Sequence, residues 1–74
     1  ARVCAWLGWQ WGAQQGALQL PTHAEIAWQL NTTRESVTRV FQRLQAERVI
    51  AREGAFWLVL DAQALRTWGQ GRGG

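Results

Sequence analysis

Apolar side chains recur along the 74 residues in two rhythms, one helical and one extended, and the changes of rhythm mark the elements. Val3, Trp6, Leu7 and Trp11 fall close to helical spacing and predict a helix over this stretch. Gly8 weakens that helix by about 1 kcal/mol relative to Ala, so it needs tertiary support. Gly12 and Gly16 bracket the expected helix end and turn. Ala17-Leu18-Gln19-Leu20 then forms a short extended run that stops at Pro21.

Thr22-His23-Ala24-Glu25 fits a capping box, with Thr22 capping the helix start and Glu25 returning to the cap's backbone N–H. Ile26, Ala27 and Leu30 supply the buried side of a short helix. Asn31, which tolerates left-handed backbone, is placed to stop it. Thr33 caps the next helix, with Ser36 three residues on, and Val37, Val40, Phe41 and Leu44 form its apolar stripe. Short helix, tight turn and longer helix make the helix-turn-helix layout. Val49-Ile50 and Phe56–Leu60 read as two strands around the turn Arg52-Glu53-Gly54-Ala55. Asp61 caps a last short helix that runs through Trp68 and buries Leu65 and Trp68.

These elements predict an α+β fold, a winged helix-turn-helix with a three-helix core, a β-hairpin wing and a short C-terminal helix. Residues 1–68 make one domain, and residues 69–74, which lack an apolar anchor, are expected to be a disordered tail. The chain starts without Met inside an apolar pattern, which reads as a fragment of a longer protein. There is no internal repeat.

Composition narrows the function classes. Nearly half the residues are apolar and six are tryptophan, which excludes global disorder. No apolar run approaches the roughly 18 residues of a bilayer span and no signal-peptide layout appears, so no membrane partner is expected. The net charge of +3 is carried wholly by Arg, and the stretch Arg34–Glu53 concentrates five arginines among three glutamates. A single Cys forms no internal disulfide, which suits a reducing, cytoplasmic compartment, and Cys4 reads as a small core residue rather than a reactive thiol. No nucleophile–base pair, phosphate loop or metal spacing stands out, and His23 has no partners for a metal site. The chain is not expected to be an enzyme, and no cofactor is expected in it.

The chemistry concentrates on the helix that begins at Arg34. Glu35, Thr38, Arg39 and Gln42 project away from the apolar stripe at about 100° per residue. Arg34 lies in the first turn, the end that a recognition helix presents to a DNA groove. Arg can fork onto guanine O6 and N7, and Glu can accept from cytosine N4, so Arg34, Glu35 and Arg39 are the candidate base readers. The plainer alternative is a solvated face with a Glu35–Arg39 pair contributing a few tenths of a kcal/mol. Thr22, His23, Thr33 and Ser36, at the two helix starts, are candidate contacts to phosphate, besides their capping roles. Thr38 and Arg43 complete the candidate phosphate set. Arg52 and the Gly54 turn form the wing, which either touches a flanking phosphate or is an ordinary surface hairpin. Of the tryptophans, Trp6, Trp28, Trp57 and Trp68 fit positions that pack elements together, whereas Trp9 is a candidate for exposure.

From Leu20 to Leu65 the chain resembles the DNA-binding domain of the Crp/Fnr family of bacterial transcription regulators. The residues that carry the likeness are Leu20-Pro21-Thr22-His23-Ala24-Glu25-Ile26-Ala27 and Thr32-Thr33-Arg34-Glu35-Ser36-Val37-Thr38-Arg39-Val40, continued by Leu44–Ile50 and Asp61–Leu65. Arg2–Gly12 also looks like the helix that precedes this motif in the family. The resemblance implies base reading by Arg34, Glu35 and Arg39 and phosphate contact by Thr22, His23, Thr33 and Ser36. It further implies double-stranded DNA as partner, a homodimeric parent and RNA polymerase as a possible second partner. An upstream effector-binding β-roll and a dimerisation helix go with the family, so the effector is not legible here. Asn31 stands where the family usually has Gly, and the wing lacks positive charge at Ala55-Phe56-Trp57. Two rival readings remain: a winged-helix protein-interaction module using Trp6 and Trp9, and a single-strand binder that stacks bases on exposed Trp.

Overall fold

Each helix begins or ends where its capping chemistry dictates. The computed structural model describes residues 2–14 and 16–69, in the order α1 (Arg2–Gln14), α2 (His23–Gln29), α3 (Arg34–Ala46), β1 (Ile50–Glu53), β2 (Phe56–Val59) and α4 (Ala62–Gly69). Four helices and an antiparallel hairpin give the α+β winged helix-turn-helix. The expected tail falls, beyond Gly69, outside the described residues.

Thr22 Oγ1 accepts the Glu25 N–H at 3.2 Å, Thr33 Oγ1 accepts the Ser36 N–H at 3.1 Å, and Asp61 Oδ1 accepts the Ala64 N–H at 3.0 Å. Each bond satisfies an amide that the first turn of a helix leaves without a partner. At α2 only the Thr22 half of the capping box forms among the described residues.

Two helices stop by the same device. At the end of α2, Asn31 takes φ 55°, its N–H bonds the Trp28 carbonyl, and the Thr32 N–H bonds the Ala27 carbonyl at 2.9 Å. At the end of α3, Arg48 takes φ 59°, its N–H bonds the Gln45 carbonyl, and the Val49 N–H bonds the Leu44 carbonyl at 2.8 Å. Both are Schellman motifs, and neither carries the Gly usual at the left-handed position. Asn31 was foreseen in that role. Arg48 was not, because nothing in its side chain announces a left-handed backbone.

The α1 helix runs further than its glycines suggested. It passes through both Gly8 and Gly12 to Gln14, and the chain reverses at Gly16, whose φ is 98°. A helical Gly costs about 1 kcal/mol relative to Ala, which packing against α4 offsets. Gln14 then closes the turn, its Oε1 accepting the Gln19 N–H at 3.1 Å. The extended run after it reduces to one antiparallel bridge. Leu18 and Trp57 exchange backbone bonds of 2.7 and 2.8 Å, and the Leu18 side chain is fully buried.

In the wing, Ile50 pairs with Val59, Ala51 with Leu58, Arg52 with Trp57 and Glu53 with Phe56. Arg52 and Glu53 therefore belong to the strand, and the turn narrows to Gly54-Ala55. Gly54 has φ 61°, a positive φ at the first loop position that matches the twist of the flanking strands.

The core joins Val3, Cys4 and Leu7 of α1, the bridge residue Leu18, Ile26 and Ala27 of α2, Val37, Phe41 and Leu44 of α3, Val49 with Ile50 of β1, and Leu65 of α4. No polar or charged residue is buried among the described residues. Val40 and Trp68, expected in the core, are half-buried at its edge. Trp28 departs from the packing role that its pattern predicts: it is 81% exposed. It lies about 100° from Ala27 and about 200° from Ile26 and Leu30 around the helix, so the inward arc of α2 excludes it.

Truncating Trp28 to Ala should therefore leave the urea midpoint nearly unchanged, within the roughly ±0.5 kcal/mol of a surface change. Trp57→Ala should cost about 3–5 kcal/mol, most of what a domain this small has available. Equal losses for the two would contradict the assigned burial. Arg48→Gly should stabilise by up to about 1 kcal/mol by relieving the left-handed penalty, whereas Asn31→Val should destabilise by at least as much. Thermal melts of both variants test this.

Candidate nucleic-acid interface

The face of α3 opposite Val37, Phe41 and Leu44 carries Glu35, Arg39 and Gln42, and Arg34 lies in the first turn, in line with the apolar stripe but beyond the core; all four are exposed. Arg34, Glu35 and Arg39 make no hydrogen bond or ion pair with another described side chain. In particular the Glu35–Arg39 pair does not form; the ion pair found among the described residues is Arg43–Glu47 at 3.8 Å, with both side chains largely in solvent. Two guanidiniums and a carboxylate thus stand free on the first turns of one helix.

That orientation is set from behind. Phe41 is almost completely buried beneath α3, with the His23 ring 4.6 Å away in a tilted contact and the Trp57 ring 5.1 Å away edge-on. One side chain therefore ties α3 to the start of α2 and to the wing. Arg2 adds a tether that sequence reasoning missed: its Nη1 donates to the Leu30 carbonyl, the cap of α2, at 2.6 Å. The partners are 28 residues apart, so no local pattern signals the bond.

The candidate phosphate contacts divide into three groups. Thr22 and Thr33 are exposed and engaged as caps, and the Thr33 hydroxyl also donates to Ser36 Oγ at 2.9 Å. His23 and Thr38 are half-buried and bonded to each other, Nδ1 to Oγ1, at 2.9 Å. Arg43 is drawn away from the rest, its guanidinium 5.2 Å above the Trp68 ring of α4 and beside Glu47.

On the wing, Arg52 Nε donates to the Gly54 carbonyl at 3.2 Å, and its guanidinium lies 5.7 Å from the Trp57 ring centre. Between the wing and the start of α2 is an open cleft of about 340 Å³ lined by Pro21, Thr22, His23, Arg52 and Trp57, among others. Residues that the sequence placed in separate motifs meet here. Burial pushes the His23 imidazole below its ordinary value, and the charges of Arg34 and then Arg52 push it further the same way. These surroundings disfavour the charged form of the ring. Cys4 lies apart from this face, and burial raises its thiol above the usual range, so it behaves as a core residue.

No helix among the described residues is long and apolar enough to cross a membrane. The family model for the Crp-like helix-turn-helix domain matches residues 1–68. No curated protein and no solved structure matches the chain. With a match over nearly its whole length, joined to the geometry of α2, α3 and the wing, the chain belongs to the Crp-like helix-turn-helix domains, the DNA-binding part of transcription regulators.

Proposed function

We propose that α3 enters the major groove of double-stranded DNA and reads base edges with Arg34, Glu35 and Arg39. The observation that carries this is the exposed, unpaired triad, Arg34 in the first turn of α3 and Glu35 and Arg39 on the face opposite the core. Unpaired donors and acceptors suit base edges, because a side chain already neutralised by its neighbour has little left to offer. Arg34 or Arg39 forks onto a guanine, and Glu35 accepts from a cytosine amino group, so the half-site contains G·C pairs. Thr22, Thr33 and Ser36 meet the backbone beside the groove, where their hydroxyls and nearby amides hold phosphate oxygens and set the register. Arg43 is the weakest of the candidates, since its guanidinium is turned toward Trp68.

The parent regulator acts in this reading as a homodimer on a pseudo-palindromic site, its half-sites about one helical turn apart, and controls access of RNA polymerase. A lone domain binds weakly, because it lacks the effective-concentration gain of a second linked domain.

The rival from another class, a protein-interaction module, gains from Trp9 and Trp28 being 70% and 81% exposed. Salt separates the readings. Duplex affinity should fall steeply with ionic strength as counterions are released, whereas an apolar contact through the tryptophans should not weaken.

Replacing Arg39 with Ala should cost about 1–3 kcal/mol on the preferred duplex and relax the preference at one base position. Competition among duplexes with single base-pair changes measures both quantities. A variant with unchanged selectivity would remove Arg39 from the reading set. Thr33→Val, by contrast, should weaken binding to every duplex alike.

A further inference from the structure

The half-buried His23–Thr38 pair has a property that capping does not explain. His23 lines the cleft between α2 and the wing, its Nδ1 bonded to Thr38 Oγ1 at 2.9 Å and its ring against Phe41. With Nδ1 occupied, Nε2 is the nitrogen left for a ligand. A hydroxyl both donates and accepts, so Thr38 serves either protonation state: it donates to Nδ1 of the neutral ring and accepts from Nδ1–H of the imidazolium.

The charged groups that act on the ring are two guanidiniums, Arg34 from α3 and Arg52 from β1. The carboxylates on the surrounding elements, Glu25 on α2, Glu35 on α3 and Glu53 on β1, are exposed to water. β2 contributes the uncharged Trp57 to the cleft. A half-buried imidazole between two cations is a poor place for a third positive charge and a good place for an anion. Arg52 Nε bonds the Gly54 carbonyl, but its other donors are not held in that way.

Resting on the DNA-binding reading above, we propose that this cleft seats one backbone phosphodiester of the duplex, shared by His23 Nε2 and the Arg52 guanidinium, and that His23 takes up a proton as the phosphate arrives. The proton comes from solvent, and no other bond changes. The phosphate offsets the repulsion from Arg34 and Arg52 and adds an acceptor that the imidazolium meets with a charge-assisted hydrogen bond. The free domain holds the ring neutral and the complex holds it charged.

The sign follows from linkage. The bound form carries more protons, so affinity is greatest at low pH and is lost as pH rises through the value that the ring has in the complex. Binding becomes independent of pH again once the ring is neutral in both states.

The test measures affinity of the 74-residue chain for a mixed-sequence duplex between about pH 5 and 8 at fixed ionic strength, the range in which His titrates. Affinity should fall with rising pH, by up to about tenfold per pH unit at the steepest, the limit for one linked proton. His23→Gln should bind at the high-pH level of the unmodified chain throughout. His23→Arg, a permanent cation, should bind tightly with a flat profile, an outcome that a purely structural role for the ring does not give. Arg52→Gln should lower the salt slope by about 1. Calorimetry of the unmodified chain in buffers of different ionisation enthalpy counts the protons taken up and needs no variant. Duplex binding with no proton uptake, or a pH profile unchanged in His23→Gln, overturns the phosphate seat and leaves the DNA-binding reading standing. Failure of the unmodified chain to bind any duplex at any pH overturns both.

Discussion

The contact of Phe41 with His23 on one side and Trp57 on the other is the constraint from which the rest of the domain follows. A helix of this length has no reason of its own to hold one face outward, because an isolated α3 would be marginal in water. Burying Phe41, with Val37 and Leu44 beside it, fixes the rotation of α3 about its axis. Full burial of such a side chain contributes about 1.5–3 kcal/mol, a large share of the stability of a domain this small. The same ring meets the first residue of α2 and the middle of β2, so helix-turn-helix and wing are registered through one point. The outward direction of Glu35 and Arg39 is a consequence of what lies beneath them, and Arg34 is exposed because it stands in the first turn, beyond the core.

Placement of charge follows the same division. Among the described residues the core holds no charged or polar side chain, so folding carries no cost for a buried ion. The charge is left on the surface, where it adds little to stability and is free to act on a ligand. Arginine differs in what holds it. Arg2 tethers α1 to α2, Arg43 rests over Trp68, Arg52 leans on its own turn, and Arg34 and Arg39 have no such hold. Of these two, Arg39 lies on the face of α3 opposite Phe41 and Arg34 in the first turn of the same helix.

Much of this was legible in the chain. Helical spacing found α2 and α3 because their stripes are clean, and the cap residues Thr22, Thr33 and Asp61 marked three helix starts that the bonds bear out. The Gly54 turn marked the hairpin. Legibility failed where a rule about one residue met a tertiary contact. Gly12 reads as a helix end, but α4 packs along α1 and the helix continues to Gln14. Trp28 reads as a packing residue by its place in the pattern, but the inward arc of α2 does not include it. Arg48 reads as an ordinary surface residue, yet it takes the left-handed position because the chain must turn there to bring Val49 into the core.

The sequence by itself determined the order of elements, the helix starts and the identity of the outward residues on α3, because these depend on spacing and on caps within a few positions. Only the tertiary structure decided which of those residues stand together. His23 and Thr38 are bonded across the two helices, and Arg34 and Arg52 act on the same ring from different elements. Arg43, close to Arg39 along the helix, is drawn toward Trp68 instead. Such meetings depend on how helices and hairpin pack around Phe41. Periodicity sets which side of an element a residue is on, and packing sets what that side faces.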